Sequence, residues 1–547
     1  MKFIWPHSRW SSGLLALILG GLLYRTLVAI WLFPGFDEAY YYLYSRHLHW
    51  SYFDHPPVVA WTTGLGWWLT GVISPLTIRL GALGLYCVSL GLLYGTATYL
   101  FSAAAGVMTL ALVTLIPLFT IGFGILTAPD TGLILFWSAT LFTAAWEFFP
   151  QNGQRRYGWA DVPYRPTWRI ALLGLWVGLA CLSKYHGFVL GLSLVGFCLA
   201  CAPYRSALRS PWTGVALGLF VITLLPLWLW NSQHDWISFR FQLGMRFDRP
   251  QETAPFSLGQ MVGYWLISVA YLFPLFGFPL WWVTARKSFQ PGHLRLLMTV
   301  NPDVELAKDA LILWLSLPIM LLFTLLGGKQ QILPAWPAPG YWGVVILLGQ
   351  QAVLWQQQRP RLIRRWLWGS GWFLVALSVV AMLHLQLGFL QQPSRYAPFG
   401  GLVPVDQDGS TELLDTGQMR QLIAADPALI AALEEVDFVF TNEYYLGGYL
   451  GMAIHPLQDL PITAFSQDPR GFAFWFDQTD WLGQDALYIT LERFVADPAI
   501  MAQYFPLFDQ IEPLTTLPLR RGGAVTETLH IYRATDFQQP YDYPYGP

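Results

Sequence analysis

The chain has 547 residues, of which 54% are hydrophobic, 16% aromatic and 12% charged, and its formal net charge is −2. Soluble domains carry about 25% charged residues, so this composition excludes an ordinary soluble protein and predicts an integral membrane protein. A near-neutral, apolar chain also gives no reason to expect a nucleic-acid partner.

About 20 apolar residues are needed for each helical crossing of a bilayer. On this basis the sequence predicts eleven spans, near residues 11–33, 76–101, 103–127, 131–149, 169–182, 187–203, 213–230, 259–284, 310–326, 337–355 and 367–390. If the N-terminus is cytoplasmic, sixteen Lys and Arg residues fall in inside segments and six in outside connections. This asymmetry predicts a multi-pass protein of a bacterial-type inner (plasma) membrane with that orientation.

The charge balance reverses after residue 390, where 7 Lys and Arg face 21 Asp and Glu. We predict a transmembrane domain over 1–390, a linker rich in Pro and Gly over 391–409, and an extracytoplasmic α/β domain over 410–547. In that domain, Met419–Glu435 has helical periodicity, whereas Asp437–Thr441 and Ala486–Thr490 alternate like strands. It contains no P-loop or GxSxG motif, which indicates an accessory domain that shapes or covers a site made by the membrane part.

The first predicted outer loop, after Pro34-Gly35, is dense in polar and aromatic residues. We predict that Asp37 caps a short helix along the interface, with Asp37, Tyr41 and Tyr44 on one face. An Asp37-Glu38 pair facing tyrosines can act as a general base or hold a metal. Alternatively, Asp37 only caps the helix and the tyrosines form an interfacial belt.

Other ionisable residues also map to the predicted outer side, at span ends or in connections. Charged groups near a membrane are costly unless they are paired or used, so we predict that these residues meet in one cavity; the alternative is a set of solvated loop ends. The residues are Asp37, Glu38, Arg46, Asp54, His55, Asp130, Lys184, His234, Arg240 and Lys329.

Each motif also has a structural interpretation. Asp130, after Pro129, either favours the dipole of the helix it begins or serves in the site. Lys184 either snorkels or binds a lipid phosphate. His234, Asp235 and Arg240 either have structural roles or, among the neighbouring aromatics, form a sugar-phosphate or metal site. The proline-rich loop with Lys329 and Trp336 either walls a cavity or simply begins the next span.

Five motifs together resemble the C-type-fold membrane glycosyltransferases, in particular the protein O-mannosyltransferase and aminoarabinose transferase branches. They are Asp-Glu-Ala-Tyr-Tyr-Tyr at 37–42, Tyr-Phe-Asp-His-Pro-Pro at 52–57, Ala-Pro-Asp at 128–130, Leu-Ser-Lys-Tyr at 182–185 and Pro-Ala-Trp-Pro-Ala-Pro at 334–339. The resemblance covers about residues 10–345 and implies a polytopic α-helical C-type glycosyltransferase fold with interfacial helices in the first outer loop.

The same resemblance implies a polyprenyl-phosphate sugar as donor and no nucleotide. It implies that Asp37 is catalytic or positions the acceptor, that Asp130 lies in the site, and that Lys184 binds donor phosphate. A divalent metal held by Asp54 and His234 is also implied. The aminoarabinose enzymes have an acidic-basic pair before proline where this chain has Asp54-His55, and an Arg where this chain has Tyr40. Because of these two differences, we expect the phosphate contacts and the acceptor of this chain to differ from theirs.

The sequence therefore predicts an integral membrane glycosyltransferase that moves a sugar from a polyprenyl-phosphate donor to a lipid, glycan or protein acceptor. The alternatives are a transporter or flippase without transferase chemistry and a non-catalytic lipid-binding receptor. The predicted catalytic residues are Asp37, Glu38 and Asp130, the phosphate-binding residues are Lys184, Arg46, His55, Arg240 and Lys329, and the substrate-binding residues are Tyr41, Tyr44 and Trp336.

Overall fold

The computed structural model describes residues 9–150, 164–245, 255–291 and 303–546. Of the basic residues counted for orientation, Lys2, Arg155, Arg156, Arg246, Arg249 and Arg295 lie outside these ranges. The described helices before residue 390 are α1 (Arg9–Trp31), α2 (Phe36–Arg46), α3 (Val58–Thr70), α4 (Pro75–Leu100), α5 (Ala103–Leu115), α6 (Pro129–Phe148), α7 (Arg169–Ser183), α8 (Gly187–Ala200), α9 (Pro211–Thr223), α10 (Leu225–Gln233), α11 (Ile237–Arg240), α12 (Leu258–Tyr271), α13 (Pro274–Ser288), α14 (Val304–Trp314), α15 (Leu317–Leu326), α16 (Ala338–Gln358) and α17 (Pro360–Leu387).

Several of these helices can cross a membrane. Within the described ranges, four stretches are long and apolar enough to do so: Gly13–Trp31, Pro75–Leu100, Val304–Leu326 and Pro360–Leu387. The bent pairs α9–α10 and α12–α13 raise the number to six if each is one crossing, and α5, α7 and α8 are shorter apolar helices. The protein is thus a polytopic helical membrane protein by length and composition.

The segment predicted to span the membrane over 259–284 is not one straight helix. The chain bends by 118° between α12 and α13. Phe273, between the two helices, has a φ of +64°, and Pro274 begins α13. A proline lacks the backbone N–H needed to continue a helix and restricts the residue before it, so the apolar run folds into two helices.

The first interhelical segment forms two short helices. Glu38, not Asp37, caps α2, because its carboxylate accepts the backbone N–H of Gly35 at 2.9 Å. The prediction that Asp37 is the cap is therefore wrong. In α3, Trp61, Leu65, Trp68 and Leu69 are exposed at i, i+4, i+7 and i+8. This apolar face is what an interfacial helix presents to a bilayer.

The C-terminal part folds into a five-stranded mixed sheet with flanking helices. The strand order is β4-β3-β5-β7-β6, in which β3 runs parallel to β4 and β5, and β7 is antiparallel to β5 and β6. The sheet strands are β3 (Phe438–Thr441), β4 (Ile462–Ala464), β5 (Ala486–Leu491), β6 (Phe508–Arg521) and β7 (Ala524–Phe537), after a two-residue pair β1 (Gln391–Gln392) and β2 (Val403–Pro404). The helices are α18 (Thr416–Ala425), α19 (Pro427–Glu435), α20 (Tyr444–Ile454), α21 (Phe472–Trp475), α22 (Glu492–Val495) and α23 (Pro498–Ala502).

The strands predicted near 437–441 and 486–490 are confirmed as β3 and β5. The predicted helix over 419–435 is instead two helices. Asp426 caps α19 through the amides of Ala428 and Leu429, and Pro427 begins that helix, so the proline divides the periodic segment.

The sheet domain shares a hydrophobic core with α2. Side chains of α2 from Ala39 to Tyr44 are buried together with residues of α18, α19 and α20. A Cβ on Gly448 would lie 2.4 Å from the backbone of Ala39 and Tyr40, so only glycine lets α20 approach α2 this closely. The C-terminal domain is therefore packed directly on the segment that carries Asp37 and Glu38.

Candidate active site

Glu38, the residue after Asp37, forms a buried ion pair with Arg79. Arg79 Nη2 and Nε lie 2.6 and 2.9 Å from the two carboxylate oxygens of Glu38, and the side chains are 0% and 4% exposed. Arg79 also donates to the carbonyl oxygens of Ala29, Leu32 and Phe33. A bidentate pair with its remaining donors satisfied is the arrangement in which a buried pair is stable.

Glu38 also connects two segments that carry predicted site residues. Its Oε1 accepts the backbone N–H of Thr127 at 2.8 Å, and Thr127 lies three residues before Asp130. Because Glu38 directly follows Asp37, this hydrogen bond places the Asp37 and Asp130 segments side by side. Asp37 and Asp130 are in the first turns of α2 and α6.

Asp130 and Lys184 form a second ion pair. Lys184 Nζ lies 2.9 and 2.7 Å from Oδ1 and Oδ2 of Asp130, and both side chains are largely buried. Asp130 is in the first turn of α6, and Lys184 caps the end of α7. The two residues predicted separately, as an acid of the site and a phosphate ligand, are thus direct partners.

Asp37 itself is accessible, with 56% of its side chain exposed. Its Oδ1 accepts a hydrogen bond from the Tyr444 hydroxyl at 3.2 Å and lies 3.6 Å from Arg470 Nη1. Both contacts come from the C-terminal domain and use the same oxygen. The carboxylate is therefore oriented from one side and open to a substrate on the other.

Asp54 contacts the same guanidinium group, that of Arg470. Its Oδ2 lies 3.5 Å from Arg470 Nη1, and its Oδ1 accepts the Tyr44 hydroxyl. Burial raises the pKa of the Asp54 carboxyl, while Arg470 and the Tyr44 hydrogen bond oppose that shift. Burial alone would lower the pKa of Arg470, but Asp54, Tyr444 and Asp37 outweigh it, and the pKa lies well above its ordinary value.

Arg470 is a residue of the cluster that was not predicted from the sequence. Its guanidinium lies 3.5 Å above the ring of Tyr444 and, besides Asp37 and Asp54, contacts Asp468 at 3.3 Å. A signal was present: Arg470 is one of only seven basic residues after residue 390, and it stands between Pro469 and Gly471 in an aromatic segment. An isolated cation in such a turn indicates a specific partner, but nothing in the sequence says that the partner lies in the membrane part.

The predicted substrate-binding tyrosines are buried. Tyr44 is stacked on Tyr52 at 3.9 Å and directs its hydroxyl to Asp54. Tyr41 is 2% exposed and meets His55 edge to face at 5.8 Å. In this structure these tyrosines support the acidic residues and the loop at His55, and they do not form an open sugar-binding surface.

Three of the predicted phosphate ligands are on α2 beyond Asp37 or at exposed positions. Arg46 is nine residues further along α2, about 14 Å at 1.5 Å per residue, and pairs with Asp459 on the surface. Arg240, at the end of α11, and Lys329, after α15, are exposed.

Trp336 lies against the turn that follows Lys184. Its ring meets His186 at 5.9 Å and Phe323 at 5.4 Å. The proline-rich loop therefore contacts the turn that follows Lys184 through Trp336.

The predicted metal pair does not fit a metal ion. Within the described residues, no group of three or more His, Cys, Asp or Glu is placed to hold one. His234 is stacked on Trp230 at 4.1 Å and its Nδ1 lies 2.7 Å from the Trp230 carbonyl oxygen. The two oxygens of Asp54 already meet the Tyr44 hydroxyl and the Arg470 cation, which leaves a poor donor set for a divalent metal.

The chain is similar in sequence to known membrane glycosyltransferases. The family model of dolichyl-phosphate-mannose-protein mannosyltransferases matches residues 54–230. A lipid A galacturonosyltransferase from Rhizobium johnstonii is 27% identical over 350 residues, which is 61% of this chain and 64% of that relative.

Two crystal structures of ArnT from Cupriavidus metallidurans match the whole fold at 16% identity. The apo structure gives a TM-score of 0.54 and covers 96% of this chain and 98% of that chain. The structure bound to undecaprenyl phosphate gives 0.55, with coverage of 97% and 99%. The resemblance predicted from the motifs is confirmed, and the chain has the C-type fold of the membrane glycosyltransferases.

Proposed function

We propose that this protein is a membrane glycosyltransferase that moves a sugar from a polyprenyl phosphate to a hydroxyl group of a lipid, glycan or protein. The observation that carries the proposal is the 2.8 Å hydrogen bond from Thr127 to Glu38, which joins the segments of Asp37 and Asp130. The accessible carboxylate of Asp37 and the ammonium group of Lys184 then lie on the same side of the membrane part. The relatives named above are glycosyltransferases, and one is a structure bound to undecaprenyl phosphate.

In the proposed reaction, the acceptor oxygen attacks the anomeric carbon of the donor sugar. The bond from that carbon to the phosphate oxygen breaks, and polyprenyl phosphate leaves with the bonding electrons. Asp37 takes the proton of the acceptor hydroxyl or orients that hydroxyl for attack. Its exposure and its single engaged oxygen suit this role.

Lys184 is the proposed ligand of the donor phosphate. An ammonium group has three N–H donors, and the two contacts to Asp130 use at most two of them. Asp130 thus holds Lys184 in position while a donor remains for a phosphate oxygen, and the charge of the departing phosphate is offset in advance. His55, next to Asp54, is a further phosphate candidate.

Glu38 has a supporting role in this proposal. Both of its oxygens are bonded to Arg79, and they also accept the amides of Gly35 and Thr127. It fixes the segment of Asp37 and does not take part in proton transfer. No step is assigned to a metal.

The proposal includes the topology predicted from the sequence: eleven crossings, a cytoplasmic N-terminus and an extracytoplasmic domain over 410–547 after a linker, in a bacterial-type inner membrane. The excess of Lys and Arg on one side supports it. The assembly of the carboxylates beneath the acidic C-terminal domain, through Arg470, supports it as well.

A transporter or flippase is the alternative class. Such proteins place ionisable groups near the middle of the membrane, whereas the Glu38–Arg79 and Asp130–Lys184 pairs lie at helix ends. The test is to incubate purified protein with radiolabelled polyprenyl-phosphate sugars and a membrane extract. Release of free polyprenyl phosphate together with labelled product supports the enzyme, and movement of intact donor across vesicles without release contradicts it.

A further inference from the structure

The segment Ser466–Trp475 of the C-terminal domain extends onto the membrane part. Phe474 lies 5.9 Å from Phe53 and 5.6 Å from Trp230, ring to ring. Trp475 packs on Tyr40 and Tyr44, both at 5.8 Å. The segment that carries Arg470 is therefore seated on the loop that carries Asp54.

The backbone of Arg470 is held in an uncommon conformation. Its φ is +49°, in the left-handed region that is unfavourable for an L-residue. Two consecutive amides hold the turn: Arg470 N donates to the Tyr545 hydroxyl at 3.0 Å, and Gly471 N donates to the Tyr40 hydroxyl at 2.7 Å. Such backbone strain persists only where the surroundings determine it, and it is concentrated at functional sites.

Tyr545 contacts both the backbone and the side-chain environment of Arg470. Its hydroxyl donates to Asp468 Oδ1 at 3.3 Å, and Asp468 Oδ2 accepts from Arg470 Nε at 3.3 Å. Its ring is stacked on Phe53 at 4.3 Å with 9° between the planes. Tyr545 thus links Arg470 to the residue that directly precedes Asp54.

We propose that Arg470 is a positioning residue for Asp37 and that Tyr545 is the residue that holds Arg470 there. The guanidinium between Asp37 and Asp54 offsets the repulsion of the two carboxylates and fixes the direction of the Asp37 carboxylate. The C-terminal domain then contributes a residue that positions Asp37, and it does more than cover the site. This inference rests on the proposed function, because the position of Asp37 matters only if Asp37 acts on the acceptor.

The first experiment needs no activity. Hydrogen–deuterium exchange of the full chain in detergent compares Tyr545→Phe, which removes only the hydroxyl, with Tyr543→Phe. Tyr543 is the matched control, because its hydroxyl lies 3.2 Å from Thr463 Oγ1, away from Arg470. We expect exchange over 466–475 to rise about three- to tenfold in Tyr545→Phe, as for the loss of one or two hydrogen bonds, and to stay unchanged in the control. Equal exchange in both variants overturns the role of Tyr545.

The second experiment measures release of polyprenyl phosphate. We expect Arg470→Ala to lower kcat by about tenfold or more with little change in the KM for the donor, and Arg470→Lys to recover part of kcat, because lysine keeps the charge but not the planar fork. Tyr545→Phe should lower kcat in the wild-type background and have no further effect in Arg470→Ala. Normal turnover of Arg470→Ala, or an undiminished Tyr545→Phe effect in that background, overturns the positioning role.

The two proposals fail differently. If wild-type protein releases no polyprenyl phosphate from any donor, the proposed function fails and with it the role of Arg470 towards Asp37, whereas the exchange experiment still decides whether Tyr545 holds Arg470. If wild-type protein is active and Asp37→Asn is not, normal turnover of Arg470→Ala removes only the further inference.

Discussion

Lys184 and Asp130 form a salt bridge in which Nζ lies 2.7 Å from Oδ2 and 2.9 Å from Oδ1, between the end of α7 and the start of α6. The sequence predicts that both residues lie in one cavity but assigns them different roles, Asp130 as an acid of the site and Lys184 as a phosphate ligand. Their pairing makes the position of the cation dependent on the acid, so that substitution of either residue should affect donor binding.

We expect Lys184→Ala to weaken binding of undecaprenyl phosphate by about 10- to 100-fold, the value of one charge-assisted hydrogen bond. Asp130→Asn should weaken it less, since the ammonium remains. Binding to purified protein checks both variants. Lys329→Ala is the control, because that lysine is exposed whereas Lys184 is buried. An unchanged affinity of Lys184→Ala would contradict the assignment.

Asp37→Asn should lower turnover by about 100-fold or more, the usual contribution of a general base. The variant should fold normally, because the carboxylate is half exposed and its amide replacement can still accept from Tyr444. Release of polyprenyl phosphate and thermal unfolding in detergent are the measurements. Asp509→Asn, at an exposed position of β6, is the control. Near-normal turnover of Asp37→Asn would rule out the role proposed for this residue.

Glu38→Gln should destabilise the protein by about 3–5 kcal/mol, because it leaves the charge of Arg79 buried and unpaired. The double variant Glu38→Gln with Arg79→Met removes that charge and should recover part of the loss. Thermal unfolding in detergent compares the single and double variants. If Glu38→Gln unfolds at the wild-type temperature, the pair does not stabilise the junction of α1, α2 and α4.

We expect acidic pH to lower the free energy of unfolding of the C-terminal domain. Burial lowers the pKa of His455 to about 4 and that of His47 to about 3, against 6.5 when exposed. A histidine whose pKa is lowered on folding stabilises the fold fully above pH 6.5, and this contribution is lost as the pH falls towards the folded value. His455 Nδ1 lies 3.0 Å from the Tyr42 hydroxyl and Nε2 lies 3.1 Å from the Leu460 carbonyl oxygen, as in a neutral imidazole.

We therefore expect each of the two histidines to lower the free energy of unfolding by about 2 kcal/mol between pH 7 and pH 5. His455→Gln does not titrate, so the decrease should be smaller in that variant. Melting temperatures at the two pH values decide the matter, and identical pH dependence in wild type and variant would show that His455 is not responsible.

The sequence alone predicted an integral membrane protein, its C-type fold and the segments that lie side by side around Asp37 and Asp130. This was possible because hydrophobic length and charge asymmetry are local properties of the chain, and because the motifs at 37–42, 128–130 and 182–185 are short and contiguous. The strands at 437–441 and 486–490 were predictable for the same reason: alternation of side chains is visible within five residues.

Only the tertiary structure decided which charged groups are partners. The pairing of Glu38 with Arg79, of Lys184 with Asp130 and of Asp37 with Arg470 joins residues 41, 54 and 433 positions apart. Ion pairing depends on distances of a few ångströms in space, and no local pattern contains them. The same reason explains why Arg46 was assigned to the site although it lies at the far end of α2. It also explains why Arg470 and Tyr545, which reach the site through the packing of the C-terminal domain on α2 and on the loop at Phe53, were not.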